Sequence, residues 1–174
     1  HLVDVASPGE PEMVALVPAG GFSTDIALSQ THTYTASGRA GMSILDTTDP
    51  AAVSELGVWS TSGYALTIAE ANGYAYVALL DSGVAVINAT DATSPFMVDF
   101  IEATNPRQLA VADNILYVPD GDIGIRTFDL TIPENPDEIG FRPTTYISEK
   151  IQILGNLAYV AAGWGGLLIL DVSD

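Results

Sequence analysis

The chain repeats itself about every 42 residues, and this period limits its possible folds more than any other feature. An acid or amide precedes a turn at intervals of 42, 42, 41 and 42 residues, at Asp4, Asp46, Asn88, Asp129 and Asp171. A tyrosine and a glycine keep the same spacing, at Tyr34, Tyr76, Tyr117 and Tyr159 and at Gly41, Gly83, Gly124 and Gly166. Repeats near 40 residues with strand-like content are typical of propeller blades or solenoid turns.

Each repeat contains four short segments with strand-like composition. The first has an apolar second position in every copy, and the copies begin at Asp25, Thr67, Gln108 and Lys150. A turn such as Asn72-Gly73 follows, then the tyrosine strand, then a strand running from the glycine to the periodic acid, and then a Pro-rich connection to a fourth strand. This predicts an all-β propeller with four blade-equivalents, entered and left in mid-blade. The predicted domain spans 1–174, with units of about 4–45, 46–87, 88–128 and 129–170.

The third strand and its exit resemble a known repeat. The segment Leu168 to Asp174, read with the Ala-Tyr-Val-Ala strands at 75–78 and 158–161, resembles the LVIVD repeat. The proline pairs at Pro8 and Pro11 and at Pro133 and Pro136 fit the same pattern, whereas residues 88–92 depart from it. The resemblance implies a propeller of bacterial or archaeal secreted and cell-surface proteins. It also implies a recognition or scaffold role, with no shared catalytic residues.

Charge and composition exclude several functions. Twenty-two acids against five basic residues give a net charge of −17, which disfavours binding to nucleic acid and favours basic partners or divalent cations. No apolar run reaches the ~20 residues needed to cross a bilayer, so no membrane insertion is expected. Without cysteine there are no disulfides or thiolate metal sites. The chain begins at His1, and we expect any signal peptide to have been removed, consistent with an extracellular or cell-surface location.

The periodic acids have two interpretations. Side chains at Asp4, Asp46, Asn88, Asp129 and Asp171 can accept hydrogen bonds from N–H groups two or three residues on and so hold the turn. They could instead form a ring of ligands. Recurrence in every repeat, with an amide tolerated at one position, favours the turn interpretation.

The loop around Asp120 and Asp122 is a calcium candidate. Two carboxylates flank Gly121, and alternating acids can wrap a hard cation, although Ca²⁺ takes six to eight oxygens. The equivalent loops in other repeats lack these acids, so an ordinary polar turn is the alternative. No cofactor is certain, and Ca²⁺ is the one considered.

Three residues are candidates for a binding surface. Asp25 and Lys150 share a register on the first strand, which lines the central channel in propellers, so they could form a binding site or an ion pair. Trp164 stands between glycines at a predicted hairpin tip, where it could contact a partner or pack on a neighbouring blade.

These observations favour a non-catalytic module that binds a protein partner or itself. His1 and His32 are too few for a histidine metal centre, and no nucleophile elbow occurs. The alternative is a calcium-dependent, hydrolytic or lyase enzyme on a propeller scaffold. The amino-terminal fourth strand could complete the last blade and close a ring. We expect instead a segment of a longer propeller, or ends that pair with neighbouring copies.

Overall fold

The computed structural model describes residues 2–18, 20–80, 82–121 and 123–173. In this part of the chain, nearly all regular structure is antiparallel β-sheet, and the strands of each sheet follow one another in chain order. The one helical element there is a short 3-10 turn, Gly163–Gly165. None of the described residues forms a helix with the length and hydropathy of a membrane span.

The described residues form five β-sheets. An amino-terminal pair contains β1 (Leu2–Asp4) and β2 (Glu12–Ala15). Blade I contains β3 (Asp25–Leu28), β4 (His32–Ala36), β5 (Met42–Asp46) and β6 (Ser54–Trp59). Blade II contains β7 (Ala65–Ala71), β8 (Tyr74–Leu79), β9 (Gly83–Asn88) and β10 (Phe96–Glu102). Blade III contains β11 (Ala110–Ala112), β12 (Ile115–Asp120), β13 (Gly124–Asp129) and β14 (Asp137–Pro143). Blade IV contains β15 (Lys150–Leu154), β16 (Leu157–Ala161) and β17 (Leu167–Asp171).

The predicted all-β propeller architecture is confirmed. The hairpin turns contain the predicted residues in left-handed conformations, as at Asn72 (φ 55°) and Asp113 (φ 49°), because asparagine, aspartate and glycine tolerate positive φ. Two predicted boundaries are wrong: the first strand of blade II begins at Ala65 rather than Thr67, and that of blade III begins at Ala110 rather than Gln108. Just before this strand, Pro106 forms an isolated β-bridge with Asp120. Proline has no N–H to donate to a continuous strand ladder.

The hydrophobic core lies between blades rather than inside one. Because side chains alternate along a strand, each blade turns one face to the blade before it and the other to the blade after it. The recurring tyrosines Tyr34, Tyr76 and Tyr117 are buried on the face toward the next blade. Three core clusters therefore link blades I to II, II to III and III to IV; none in the described chain joins blade IV to blade I.

The amino-terminal strand pair does not complete the last blade. β2 is hydrogen-bonded to β1, with Val3 opposite Met13 and Asp4 opposite Glu12, and it does not pair with β17. Ring closure through this strand, one possibility raised by the sequence, is not the arrangement seen. β1 has the sequence of a third strand, so it already occupies the position beside β2 that β17 would need.

Candidate functional site

The periodic acids act as turn acceptors. Each of the five side chains accepts a hydrogen bond from the N–H two residues on, over 2.8 to 3.0 Å, at Asp4, Asp46, Asn88, Asp129 and Asp171. The hydroxyl of Thr48 also donates to Asp46, and that bond is the main cause holding the pKa of Asp46 below its ordinary value. Each of these side chains lies in its own turn, one repeat away from the next along the chain.

Asp25 connects two blades instead of pairing with Lys150. Its Oδ2 accepts hydrogen bonds from the Thr67 hydroxyl and from the Ile68 N–H at 3.0 Å. The equivalent residue of blade III, Gln108, likewise accepts from the Ile151 N–H at 3.3 Å. Lys150 is exposed, and within the described structure no ion pair joins it to Asp25. The first-strand register is therefore an interblade contact at these positions.

Asp120 is fully buried at the junction of blades II and III. Its Oδ1 accepts a hydrogen bond from the Asn105 N–H at 2.7 Å, and its Oδ2 lies 3.9 Å from Nη1 of Arg126. A guanidinium so close competes with a metal cation for the same carboxylate. The other half of the calcium prediction, Asp122, lies outside the described residues. Between residues 2 and 173, apart from positions 19, 81 and 122, no three His, Cys, Asp or Glu side chains gather to hold a metal. The calcium site stays a prediction.

Sequence reasoning missed Arg126 and its partners. The guanidinium makes a two-pronged contact with Glu138, at 3.0 and 2.7 Å, and also donates to the Glu102 carbonyl of blade II. The available signal was the repeat alignment, in which Arg126 replaces Ser43 and Ala85. Blade IV has Leu168 at this position, so Arg126 is the one charged residue among the four copies, and it joins blades II and III through the Glu102 carbonyl.

Trp164 lies on a hydrogen-bonded turn of blade IV and is 98% exposed. Two backbone hydrogen bonds close the turn: the Gly165 N–H donates to the Ala162 carbonyl at 2.7 Å, and the Ala162 N–H donates to the Gly166 carbonyl at 2.8 Å. The Tyr146 ring packs so closely on Gly165 that a β-carbon there would lie 2.5 Å from the ring. A cleft of about 360 Å³ separates Trp164 from Tyr146, and Glu149 lies on its rim.

The free edge of β17 is the least complete part of the described structure. In blades I to III the third strand pairs with a fourth strand, whereas among the described residues β17 pairs only with β16. The Val172 N–H donates to the Asn156 carbonyl on the β16 side at 2.9 Å. Because alternate residues of a strand direct their N–H groups to opposite edges, Ile169 and Asp171 direct theirs to the free edge. β17 can therefore accept one more strand.

An apolar groove runs beside this edge. It has a volume of about 420 Å³ and lies between the outer strands of blade III and the end of β17. Ile139 and Phe141 line it and are 57% and 53% exposed. Leu56, at the position of blade I equivalent to Ile139, is half-buried, and the connection of blade II lies beside it: a β-carbon on the next residue, Gly57, would be 2.3 Å from the Ala92 carbonyl oxygen. The groove is where a fourth strand of blade IV would lie.

The glycine that precedes the third strand shows how close a fourth strand comes. A β-carbon on Gly41, Gly83 or Gly124 would lie 2.1, 2.4 or 2.3 Å from a carbonyl oxygen of the fourth strand. At Gly166 the same β-carbon would meet no atom within 4 Å. The positive φ favours glycine at all four positions. At Gly166, the space that a fourth-strand carbonyl oxygen fills in the other three blades is open.

The repeat itself decides the family. Residues 20–61, 62–101 and 147–174 match the LVIVD repeat, together more than half of the chain. The chain belongs to the LVIVD repeat family. The matched stretches leave out all of blade III, the blade that contains Asp120 and Arg126. No curated protein sequence matches this LVIVD chain.

Solved structures with the same fold are distant in sequence. The computationally designed Ika4 protein is 13% identical with a TM-score of 0.74, covering 93% of this chain and 98% of Ika4. The periplasmic gluconolactonase PpgL of Pseudomonas aeruginosa is 13% identical with a TM-score of 0.79, covering 97% of this chain and 59% of PpgL. BamB from Moraxella catarrhalis is 11% identical with a TM-score of 0.73, covering 90% of this chain and 49% of BamB. The LVIVD chain thus spans less than two-thirds of both natural proteins, and the likeness shows the propeller fold alone.

Proposed function

We propose that this LVIVD chain is a non-catalytic binding and assembly module in which the edge of β17 pairs with an extended strand. The observation that carries the proposal is the combination of a free strand edge, an apolar groove beside it and an open Gly166. Main-chain hydrogen bonds at such an edge supply affinity, and pockets for alternate side chains supply specificity. Ile139 and Phe141 offer apolar surface of that kind.

The acidic side chains described above hold turns or join blades, and this supports binding rather than catalysis. Four of the five periodic positions are aspartates, and all five side chains are engaged by turn N–H groups. Asp25 is likewise used between blades, and Asp120 is enclosed beside Arg126. The resemblance to a gluconolactonase rests on 13% identity and brings no substrate to this chain.

A location outside the cytoplasm fits the same role. The net charge of −17 and the lack of cysteine are compatible with a secreted or cell-surface protein. PpgL, which shares the fold, is periplasmic. Trp164 would add a second contact on the same blade.

A strand peptide tests the proposal directly. The probe is a labelled peptide with the sequence of β10, Phe96–Glu102, the fourth strand that pairs with the equivalent strand of blade II. We expect fluorescence anisotropy to show saturable binding to the wild-type chain. Gly166→Ala should abolish binding, because its β-carbon occupies the space of the incoming carbonyl. Gly155→Ala, at positive φ with nothing within 4 Å, is the matched control and should still bind.

A second pair of variants tests the groove. Phe141→Asp places a charge in the groove, whereas Val58→Asp makes the same change at the equivalent position of blade I. Both residues are exposed, so neither change opens a core cavity. Weaker peptide binding in Phe141→Asp only would support the proposal. Equal binding by all variants, or no binding by the wild-type chain, would refute it.

A further inference from the structure

Blade III departs from the repeat at two residues that meet at its junction with blade II. Asp120 is the one charged residue in its register, where the other copies have Ser37, Leu79 and Ala162. Asn105, whose N–H donates to Asp120, stands where the other copies have an aromatic or aliphatic residue, at Phe22, Tyr64 and Ile147. In a protein whose other positions follow a repeated pattern, such departures are expected at functional sites.

The carboxylate of Asp120 has one oxygen without a hydrogen bond. Its side chain is 1% exposed and its Oδ1 is engaged by the Asn105 N–H, whereas Oδ2 accepts no hydrogen bond from any described residue. Nη1 of Arg126 lies 3.9 Å from Oδ2, beyond hydrogen-bonding distance. The side-chain oxygen of Asn105 is also buried and unpaired among the described residues. Because a buried oxygen without a donor is costly, these two acceptors point to a ligand that donates hydrogen bonds.

Arg126 is held in place at the same junction. Its Nε and Nη2 donate to Glu138, and its Nη1 donates to the Glu102 carbonyl. The guanidinium also lies 5.0 Å from the centre of the Phe128 ring. These contacts fix the side chain before any ligand arrives, so binding beside it costs little side-chain freedom.

A cleft of about 460 Å³ lies beside these groups, between blades II and III. Asp120 and Arg126 line it from blade III, Phe100 lines it from β10, and Thr104 lines it from the connection after β10. Phe100 is 39% exposed, which leaves an aromatic surface available. The cleft thus combines a carboxylate, a guanidinium, a hydroxyl group and an aromatic ring, within the volume range of small-molecule sites.

From this arrangement we propose that the cleft binds a sugar ring, with a hydroxyl group donating to Oδ2 of Asp120 and the apolar face of the ring packed on Phe100. A sugar hydroxyl both donates and accepts, so neighbouring hydroxyls of one ring can donate to the carboxylate and accept from the Thr104 hydroxyl. The CH groups on one face of a pyranose supply the apolar surface that an aromatic side chain covers. This site goes beyond strand pairing at β17, because it lies in another part of the fold and takes another kind of ligand.

Charge favours a neutral ligand in this cleft. Asp120 and Glu102 both line it and the chain has a net charge of −17, so an anionic ligand is repelled. A metal ion or an organic cation at Oδ2 would lie close to the Arg126 guanidinium and be repelled by it. A sugar hydroxyl donates to the carboxylate without adding charge to the junction.

Saturation-transfer-difference NMR with three methyl glycosides tests the proposal. The probes are methyl β-D-glucopyranoside, methyl β-D-galactopyranoside and methyl α-D-mannopyranoside, each titrated against the wild-type chain. We expect at least one of them to bind with a Kd on the order of 1 mM, the weak affinity of a ligand that makes few hydrogen bonds. Saturation transfer should be strongest to the protons on one face of the ring, the face that packs on Phe100.

Asp120→Asn removes the free acceptor and keeps the hydrogen bond that the fold uses. The amide oxygen stays with the Asn105 N–H, so the NH₂ group replaces Oδ2 and presents a donor where the sugar hydroxyl donates. Glycoside binding should weaken about tenfold, the effect of losing one hydrogen bond to a charged group. Circular dichroism verifies that this variant and those below are folded.

Phe100→Leu tests the aromatic surface without opening the core, because this side chain is partly exposed. Loss of the ring should weaken glycoside binding about fivefold. Phe96→Leu is the matched control, since Phe96 lies on the same strand, is 56% exposed and does not line the cleft. It should bind the glycosides as the wild-type chain does.

The outcomes decide both the site and the ligand class. No saturation transfer to any of the three glycosides from the wild-type chain would overturn the proposal. Equal binding by the wild-type chain and Asp120→Asn, or equal loss in the two phenylalanine variants, would place binding outside the cleft and overturn it as well. Nα-acetyl-lysine methyl amide is the cationic probe. If it binds more tightly than every glycoside and loses binding in Asp120→Asn, the cleft takes a basic side chain and the sugar assignment is wrong.

The sugar site and strand pairing at β17 can fail separately. Gly166 belongs to blade IV and does not line the cleft, so Gly166→Ala should bind the glycosides as the wild-type chain does. Asp120→Asn should bind the β10 peptide as the wild-type chain does. Binding of glycosides without the peptide would keep the sugar site and refute strand pairing, and binding of the peptide without glycosides would do the reverse.

Discussion

The buried carboxylate of Asp120 accepts a hydrogen bond from the backbone N–H of Asn105 over 2.7 Å. This bond fixes the segment before β11 against the end of β12. We expect Asp120→Ala to lower the free energy of unfolding by about 1–3 kcal/mol, because the part-buried Asn105 N–H loses its acceptor. Asp120→Asn keeps an acceptor oxygen and should cost less. Urea denaturation followed by circular dichroism measures both. Equal loss in the two variants would show that the hydrogen bond is not the cause.

Tyr76 anchors the interface between blades II and III. Its ring is fully buried, burial raises the pKa of its phenol far above the ordinary value, and its hydroxyl donates to the Pro133 carbonyl at 3.1 Å. Tyr76→Phe should cost about 1 kcal/mol by leaving that carbonyl unpaired. Tyr117→Phe is the matched control, because the Tyr117 hydroxyl makes no hydrogen bond to any described residue. A similar loss for both would contradict the assignment.

Acid should destabilise the fold partly through the turn aspartates. Hydroxyl groups of Thr48, Thr131 and Ser173 lower the pKa values of Asp46, Asp129 and Asp171. A carboxyl group with a lowered folded-state pKa contributes stability above its unfolded pKa, and that contribution is lost as pH falls through the folded value, here below about pH 4. Replacing all three by asparagine, the residue found at position 88, should flatten the decline of Tm with acid.

The control for this experiment removes charge without touching the turns. Glu10, Glu12 and Glu55 are exposed and are changed together to glutamine. This variant should keep the wild-type slope of Tm against pH below about pH 4 if turn acceptors dominate that slope. An identical flattening in both triple variants would assign the effect to net charge.

The fold was predictable because its signals recur in several copies. Turn residues such as Asn72 follow from local backbone conformation, and core residues such as Tyr76 follow from the alternation of side chains along a strand. Because the pattern occurs in four copies, each position can be recognised. The open edge of β17 was partly predictable, since the sequence shows which strand type lies at each end. Its groove was not, because the sequence does not show which apolar residues, such as Ile139 and Phe141, stay exposed between blade III and β17. Arg126 was missed because its partners, Glu138 and the Glu102 carbonyl, meet it only across the sheet and the blade junction.

Trp164 should contribute to recognition and not to stability. Its side chain is 98% exposed on a turn whose hydrogen bonds are all backbone. Trp164→Ser should therefore change the free energy of unfolding by no more than about 0.5 kcal/mol. Its fluorescence should be quenched by acrylamide much more readily than that of Trp59, which packs against the core of blades I and II. Single-tryptophan variants, Trp59→Phe and Trp164→Phe, separate the two signals. Equal quenching would contradict this exposure.

Replacing the glycine before a third strand by alanine should lower the free energy of unfolding by an amount that depends on which atoms lie opposite the new β-carbon. Gly124 has a φ of 147°, and its β-carbon would lie 2.3 Å from the Arg142 carbonyl oxygen, so Gly124→Ala combines backbone strain with a backbone clash. Gly166 has a φ of 74° and a ψ of −129°, a conformation that is rare for residues other than glycine, and it has open space, so Gly166→Ala should cost backbone strain of about 1–3 kcal/mol without a clash. We expect the loss of unfolding free energy in urea to be clearly larger for Gly124→Ala, measured at a concentration low enough to keep the chain monomeric. If Gly166→Ala is as costly as Gly124→Ala in the monomer, the space beside β17 is already filled and the strand-capture proposal loses its structural basis.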